Sequence, residues 1–305
     1  MATFLIQQQE IALRLRFDLT NTDQLALIKR WLNRSQKEIW SADDWNFSLD
    51  RQTLQTVADA TAGTVSIGVS GSVVTGVSTA FGSNHVGQYI QFSSSNDWYK
   101  ITVVDSTTSL TVEVPYTATT ALSAGTYTIR KMFYSLGATV EQILSARQTI
   151  SPSPVDLVDF RDFDIFRPYP TSTGNPQLMI LFGQDSSNNL QVGLYPTPSA
   201  IENIEIRFKK LPIDLSSDSD VSLIPAQWAE SVMIDGALAQ GYDFLSNGNA
   251  ALISQGRDMY QKFQRGIELM KVQHRPDAGK HQVIQSRDVI NEPYGPRLPN
   301  KYGVG

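Results

Sequence analysis

The sequence predicts an α+β protein: a helical bundle formed by the N- and C-terminal segments, with a central β-rich region and an inserted small β-barrel or β-sandwich module. Three observations predict it. Apolar residues recur at helical spacing near both ends of the chain, and Ser, Thr, Gly and Val supply more than half of residues 60–130. Strand-like alternation then returns between residues 178 and 208. A chain of 305 residues is too long for one small core. The reading therefore divides it into 1–56 (N-terminal part of the bundle), 57–132 (inserted β-module), 133–215 (β-rich region), 216–272 (C-terminal part of the bundle) and 273–305 (extended C-terminal tail).

Residues 1–56 read as helical, with Leu13, Leu15 and Phe17 before a break at Leu19-Thr20-Asn21. Thr22 reads as an N-cap, and Asp23 places negative charge in the first turn that follows. Leu25, Ile28, Leu32 and Ile39 fall on one face at intervals of three, four and seven. Trp31, Trp40 and Trp45 read as buried aromatics packed on a neighbouring helix.

Between Ala60 and Arg130 charged side chains are scarce, and short β-type runs alternate with turn signals. The runs begin at Gly63, Ser72, Tyr89, Trp98, Leu110 and Thr126, and their close spacing indicates a small barrel or sandwich. Further strands are expected over 178–182, 190–195 and 201–208. The last alternates, with Ile204, Ile206 and Phe208 on one face and Glu205 and Arg207 on the other.

Helices return after the polar turn at 216–220, with Pro225 at a first helical position. A stretch carrying Trp228, Val232, Ala239 and Tyr242 ends at Asn247-Gly248-Asn249. Ile253, Gly256, Tyr260, Phe263, Ile267 and Met270 then recur at intervals of three and four until His274-Arg275-Pro276. This seam is expected to pack on the Leu25/Ile28/Leu32/Ile39 face, because neither stripe has another long helix to bury it. The tail holds Pro276, Pro293, Pro296 and Pro299 and little periodicity. It is expected to be mobile in the free protein and to order on a partner, with Tyr294, Arg297 and Tyr302 as partner-binding anchors.

Composition removes several kinds of chemistry. Lys and Arg number 25 against 30 Asp and Glu, a net charge of −5, so a general DNA-coating role lacks the cationic excess it needs. The absence of cysteine removes disulfide frameworks, Cys-zinc sites, iron–sulfur clusters and thiol nucleophiles. The closest approach to a serine-hydrolase elbow, Gly76-Val-Ser-Thr-Ala80, lacks its second glycine. No phosphate-binding glycine loop is present, and His274 and His281 lack the spacing of a helical metal pair. Asp156, Asp159, Asp162 and Asp164 read as a solvated turn with Arg161 as counter-charge, and Asp214 to Asp220 as a polar loop. No catalytic, cofactor-binding or metal-binding residue is assigned, and the expectation is a non-enzyme without cofactor. The first ten residues do not read as a signal peptide and no apolar run is long enough for a membrane span, so no membrane partner is expected.

The layout carries more than any motif. Four stretches are informative in their order: Ile28 to Trp40 followed by Asp44-Trp45; Gly63 to Ile67 through Thr75 to Phe81, Val86 to Phe92 and Asp97 to Ile101; Leu190 to Pro198 with Ile204 to Pro212; and Leu223 to Trp228. In these the sequence resembles the head-to-tail adaptor (connector) proteins of tailed bacteriophages, of the short-tailed-phage type with an inserted β-module. The resemblance implies a virion structural protein without catalysis, made in the host bacterial cytoplasm and placed in the tail or neck. It further implies a homo-oligomeric ring, a dodecamer, that joins the portal protein to the tail nozzle or tube, with double-stranded DNA passing through the lumen without sequence-specific binding. The alternative is a tail or baseplate structural protein whose β-module binds host glycans, with Trp98-Tyr99 stacking on sugar.

Overall fold

The computed structural model describes residues 3–150, 153–161, 163 and 172–274. The described residues divide into two compact units: one combines those up to 47 with those from 214 onward, and the other those between 48 and 213.

The first unit is helical. Helix α1 (Phe4–Leu15) closes on Arg16 in the left-handed region, and α2 (Thr22–Ser41) follows. The cap of α2 is Asn21 rather than Thr22: the Asn21 carboxamide oxygen accepts from the backbone N–H groups of Asp23 and Gln24 at 3.0 and 3.3 Å. One helical turn (Ala226–Ala229) then leads into α3 (Val232–Leu245) and α4 (Ala250–His274). Helix α3 is apolar almost all round, with Val232, Met233, Ile234, Ala237, Leu238 and Ala239 buried, which is the signature of a helix inside its unit.

Two glycines let its neighbours approach. A Cβ at Gly236 would lie 2.7 Å from Ser35 Oγ of α2 and 2.8 Å from the Phe263 ring of α4, and one at Gly241 would lie 2.4 Å from Leu15 of α1. Ile28, Leu32 and Ile39 of α2 and Phe263, Ile267 and Met270 of α4 therefore share one core with α3 between them. Tyr260, expected in the seam, is instead 51% exposed. Trp31, Trp40 and Trp45 are all buried, and the Trp45 indole N–H donates to the Ile39 carbonyl at 2.7 Å.

The second unit holds two seven-stranded sheets. The first runs β1 (Leu49–Gln55), β14 (Asn203–Lys210), β10 (Val140–Gln148), β11 (Pro154–Asp159), β12 (Leu178–Gln184), β13 (Leu190–Tyr195) and β9 (Phe133–Ser135). All its pairs are antiparallel except β11 with β12. It curls so that its edges approach: Gln52 of β1 donates to the Leu136 carbonyl beyond β9 at 3.0 Å, and Leu54 and Tyr134 join one core. Ile204, Ile206 and Phe208 point into that core, as the alternation of β14 requires.

The second sheet uses only residues between β1 and β9. Its order is β7 (Leu122–Gly125), β2 (Thr64–Ile67), β3 (Val73–Val77), β6 (Ser109–Val112), β5 (Trp98–Ser106), β4 (Tyr89–Phe92) and β8 (Tyr127–Arg130). The two edge strands, β7 and β8, are joined through the single residue Thr126, so the sheet curls nearly closed around Val65, Val74, Ile90, Ile101, Leu110 and Ile129.

The expectation of a helical bundle carrying a small β-module is thereby corrected. The protein is mostly β, with two curled seven-stranded sheets and four helices longer than one turn among the described residues. Residues 49–55, read as helical, form β1. Only Gln52 and Leu54 of β1 are even half-buried, so this edge strand carries almost no apolar alternation to reveal it.

Where the chain enters and leaves the second sheet, it is pinned twice. Ala60 and Ile129 exchange backbone hydrogen bonds of 2.9 and 2.8 Å. Beside them the Arg130 guanidinium, 7% exposed, donates from Nε to Asp59 Oδ1 at 2.9 Å and lies 4.9 Å from the centre of the Trp98 ring. Asp59→Ala leaves that guanidinium buried without its anion and should cost about 3–5 kcal/mol in denaturant titration. Adding Arg130→Met should recover most of the loss.

His85 is the second sheet's pH-sensitive residue. Its Nδ1 accepts from the Gly82 N–H at 3.1 Å, and burial lowers its pKa below the ordinary 6.5. Below pH 6.5 the unfolded chain takes up a proton that the folded protein refuses, so this contribution to stability is complete above pH 6.5 and falls as pH falls. The melting temperature should decline as pH falls below about 6.5, and His85→Asn should flatten that slope.

Candidate functional site

The helical unit carries a groove of about 1090 Å³ with α3 as its floor and α2 and α4 as its walls. Ala239, Gln240, Asp243 and Phe244 form the floor, a single face of α3 at helical spacing. Arg30, Arg34 and Lys37 project from α2 at intervals of four and three, which places all three on one face. Across the groove α4 contributes Ile253, Gly256, Arg257 and Tyr260.

The charges in the groove are unequally satisfied. Lys37 Nζ lies 2.7 Å from Asp214, and Arg34 Nε lies 3.2 Å from Glu38. Arg30 and Arg257, both exposed, have no ion-pair partner among the described residues. Phe244 is 55% exposed, with its ring centre 5.8 Å from that of the buried Trp31. Gln240 donates to Ser35 Oγ at 3.2 Å and to the Gly236 carbonyl at 3.4 Å, while its Oε1 is buried with no hydrogen-bond partner. Such a surface can hold a protein segment by apolar contact and charge pairing.

Sequence reasoning placed none of its candidate anchors here. Tyr294, Arg297 and Tyr302 lie outside the described residues, as do His281, Asp162 and Asp164. His274 accepts the Trp228 indole N–H at Nε2 (2.9 Å), a packing contact. Asp156 and Asp159 are exposed on β11, and the Arg161 guanidinium lies over the Phe160 ring. No group of three or more His, Asp or Glu placed to hold a metal occurs among the described residues. Ser78 occupies the left-handed region at a turn, with no imidazole or carboxylate bonded to it among the described residues. Tyr99 is buried and bonded to Thr117, and Trp98 is half-buried beneath Arg130, so this pair is no open platform for sugar stacking.

The groove was missed because its residues carry no chemical motif. Its one sequence signal is the Arg30/Arg34/Lys37 stripe, which is indistinguishable from a solvated helix face until α3 is seen beneath it. Trp31→Ala, at the buried base of the groove, should cost about 3–5 kcal/mol, whereas Phe244→Ala should stay within about 0.5 kcal/mol in the same denaturant titration.

No helix of the described residues is long and apolar enough to cross a membrane. The family model described as SU10 adaptor protein matches residues 102–286, more than half of the chain. No curated protein matches the sequence. The chain belongs to the SU10 adaptor protein family and is a bacteriophage adaptor, a structural component of the virion.

Proposed function

We propose that this adaptor is of the head-to-tail kind found in short-tailed phages. Copies of the chain close into a dodecameric ring that binds the portal protein on one face and receives the tail nozzle or tube on the other, in the neck of the virion. Double-stranded DNA passes through the ring's lumen without sequence-specific contact. Membership of the adaptor family carries this reading. The groove supports it, since exposed aromatics beside arginines that have no ion-pair partner among the described residues suit a docking protein. A closed ring needs a heterologous contact repeated by rotation, and the two-unit organisation offers separate surfaces for neighbours in the ring and for the partners above and below it. The second sheet acts as an inserted module that folds by itself and contributes little to portal binding. Tyr294, Arg297 and Tyr302 in the tail after His274 are proposed as anchors on portal or a neighbouring subunit.

The experiment is to mix the purified full chain with tailless heads that contain portal, then image the vertex by electron microscopy. A ring at the portal vertex is expected. Truncation after His274 should reduce occupancy at least tenfold. Binding away from the vertex, or as scattered single copies, would remove the ring reading, and full occupancy by the truncated chain would remove the tail's role.

A further inference from the structure

We infer that the groove of the helical unit receives an acidic, amphipathic helix of about three turns from a partner protein. The inference rests on the adaptor reading only in taking the occupant to be protein. Length comes from the walls. The α2 lining runs from Leu27 to Lys37 and the α4 lining from Ile253 to Gln261. At 1.5 Å per residue these are walls of roughly 12–15 Å, the span of eight to ten helical residues. The shape matches as well, because a helix laid on the exposed face of α3 would complete a four-helix packing with α2 and α4 beside it.

Charge selects among occupants. The lining holds Arg30, Arg34, Lys37 and Arg257 against only Asp214 and Asp243. With Lys37 and Arg34 already paired, Arg30 on one wall and Arg257 on the other are the cations available to a ligand. A helix with carboxylates on both flanks and apolar residues between them meets both arginines, while its apolar stripe covers Phe244 and Tyr260, which are 55% and 51% exposed. The chain's own residues 275–305 carry more cations than carboxylates and repel the same arginines. Duplex DNA has charge of the right sign but no apolar face for the exposed aromatic rings.

The test uses the full chain and two labelled synthetic fourteen-residue peptides in fluorescence anisotropy. One has leucines at i, i+3, i+4 and i+7 flanked by glutamates; the other carries lysine at every glutamate position. The glutamate peptide should bind, more weakly as salt rises, and the lysine peptide at least tenfold less well. Arg30→Glu with Arg257→Glu, both on exposed positions, should weaken the glutamate peptide at least tenfold and invert the preference. Phe244→Ser should weaken it without altering salt dependence. Circular dichroism confirms that each variant is folded.

Absence of binding, equal binding of both peptides, or indifference to the charge reversal would overturn the inference. So would displacement of the peptide by a twenty-base-pair duplex, binding only after residues 275–305 are removed, or an oligomer in sedimentation that the charge reversal dissociates. These three name nucleic acid, the chain's own tail and a second copy as the occupant. Head attachment is scored separately. Peptide binding without attachment counts against the adaptor reading alone, and attachment without peptide binding against this inference alone.

Discussion

The close passage of α2 and α4 against α3 at Gly236 is the constraint on which the helical unit depends. Ser35 and Phe263 occupy the volume a side chain would need there, and interiors packed at crystal-like density have no slack to return it. Gly241 does the same for Leu15 and Trp31, so α1 also closes onto α3. A helix this apolar must be covered along most of its surface, and α1, α2 and α4 cover it. The face they leave open, from Ala239 to Phe244, is the floor of the groove. The groove is thus a consequence of packing three helices around three sides of α3, with the glycine crossings setting how closely they approach.

The second unit meets a different problem. Fourteen strands in two sheets present four edges, and exposed edges recruit other strands. Each sheet answers by curling. In the first, Gln52 reaches Leu136 near the opposite edge, and in the second a one-residue link brings β7 beside β8. The two sheets have separate cores, yet the chain crosses between them twice, and Asp59, Ala60, Ile129 and Arg130 bind the two crossings together. The ion pair is itself buried beside Ile129, where an Arg–carboxylate contact with good geometry can contribute to specificity.

How much of this was legible depended on the kind of signal. The alternation of β14 was plain because Ile204, Ile206 and Phe208 meet a core on one side while Arg207 meets water on the other. The stripes of α2 and α4 were plain for the same reason at the helical period. The strand β1 was not, because an edge strand half-buried only at Gln52 and Leu54 has no period to read. Tyr260 was placed in the core by its spacing, but spacing states a direction on the helix and not what stands opposite, and there α4 faces the groove. The role of α3 was hidden by its composition: a helix apolar on most of its surface shows no narrow stripe, so its two neighbours appeared to need each other. Arg30 and Arg257 lie more than 200 residues apart, and only the fold brings them to one groove.

A net charge of −5 spread over the chain coexists with a local surplus of cations in the groove, and the two facts have one physical consequence. A protein repelled from bulk polyanions overall avoids sequestration on packaged nucleic acid, while a short-range cationic cleft still attracts a carboxylate-bearing partner within a Debye length of about 8 Å at physiological salt. Such a cleft discriminates by approach distance as well as by contact. Arg34 and Lys37 are paired at the surface with Glu38 and Asp214, so their charges are partly neutralised locally. Arg30 and Arg257, without an ion-pair partner among the described residues, face solvent from opposite walls, and a ligand must carry negative charge on two flanks to satisfy both. An assembly joint built this way selects its partner by the spacing of charges across an apolar strip, which needs no catalytic residue and leaves no motif in the sequence.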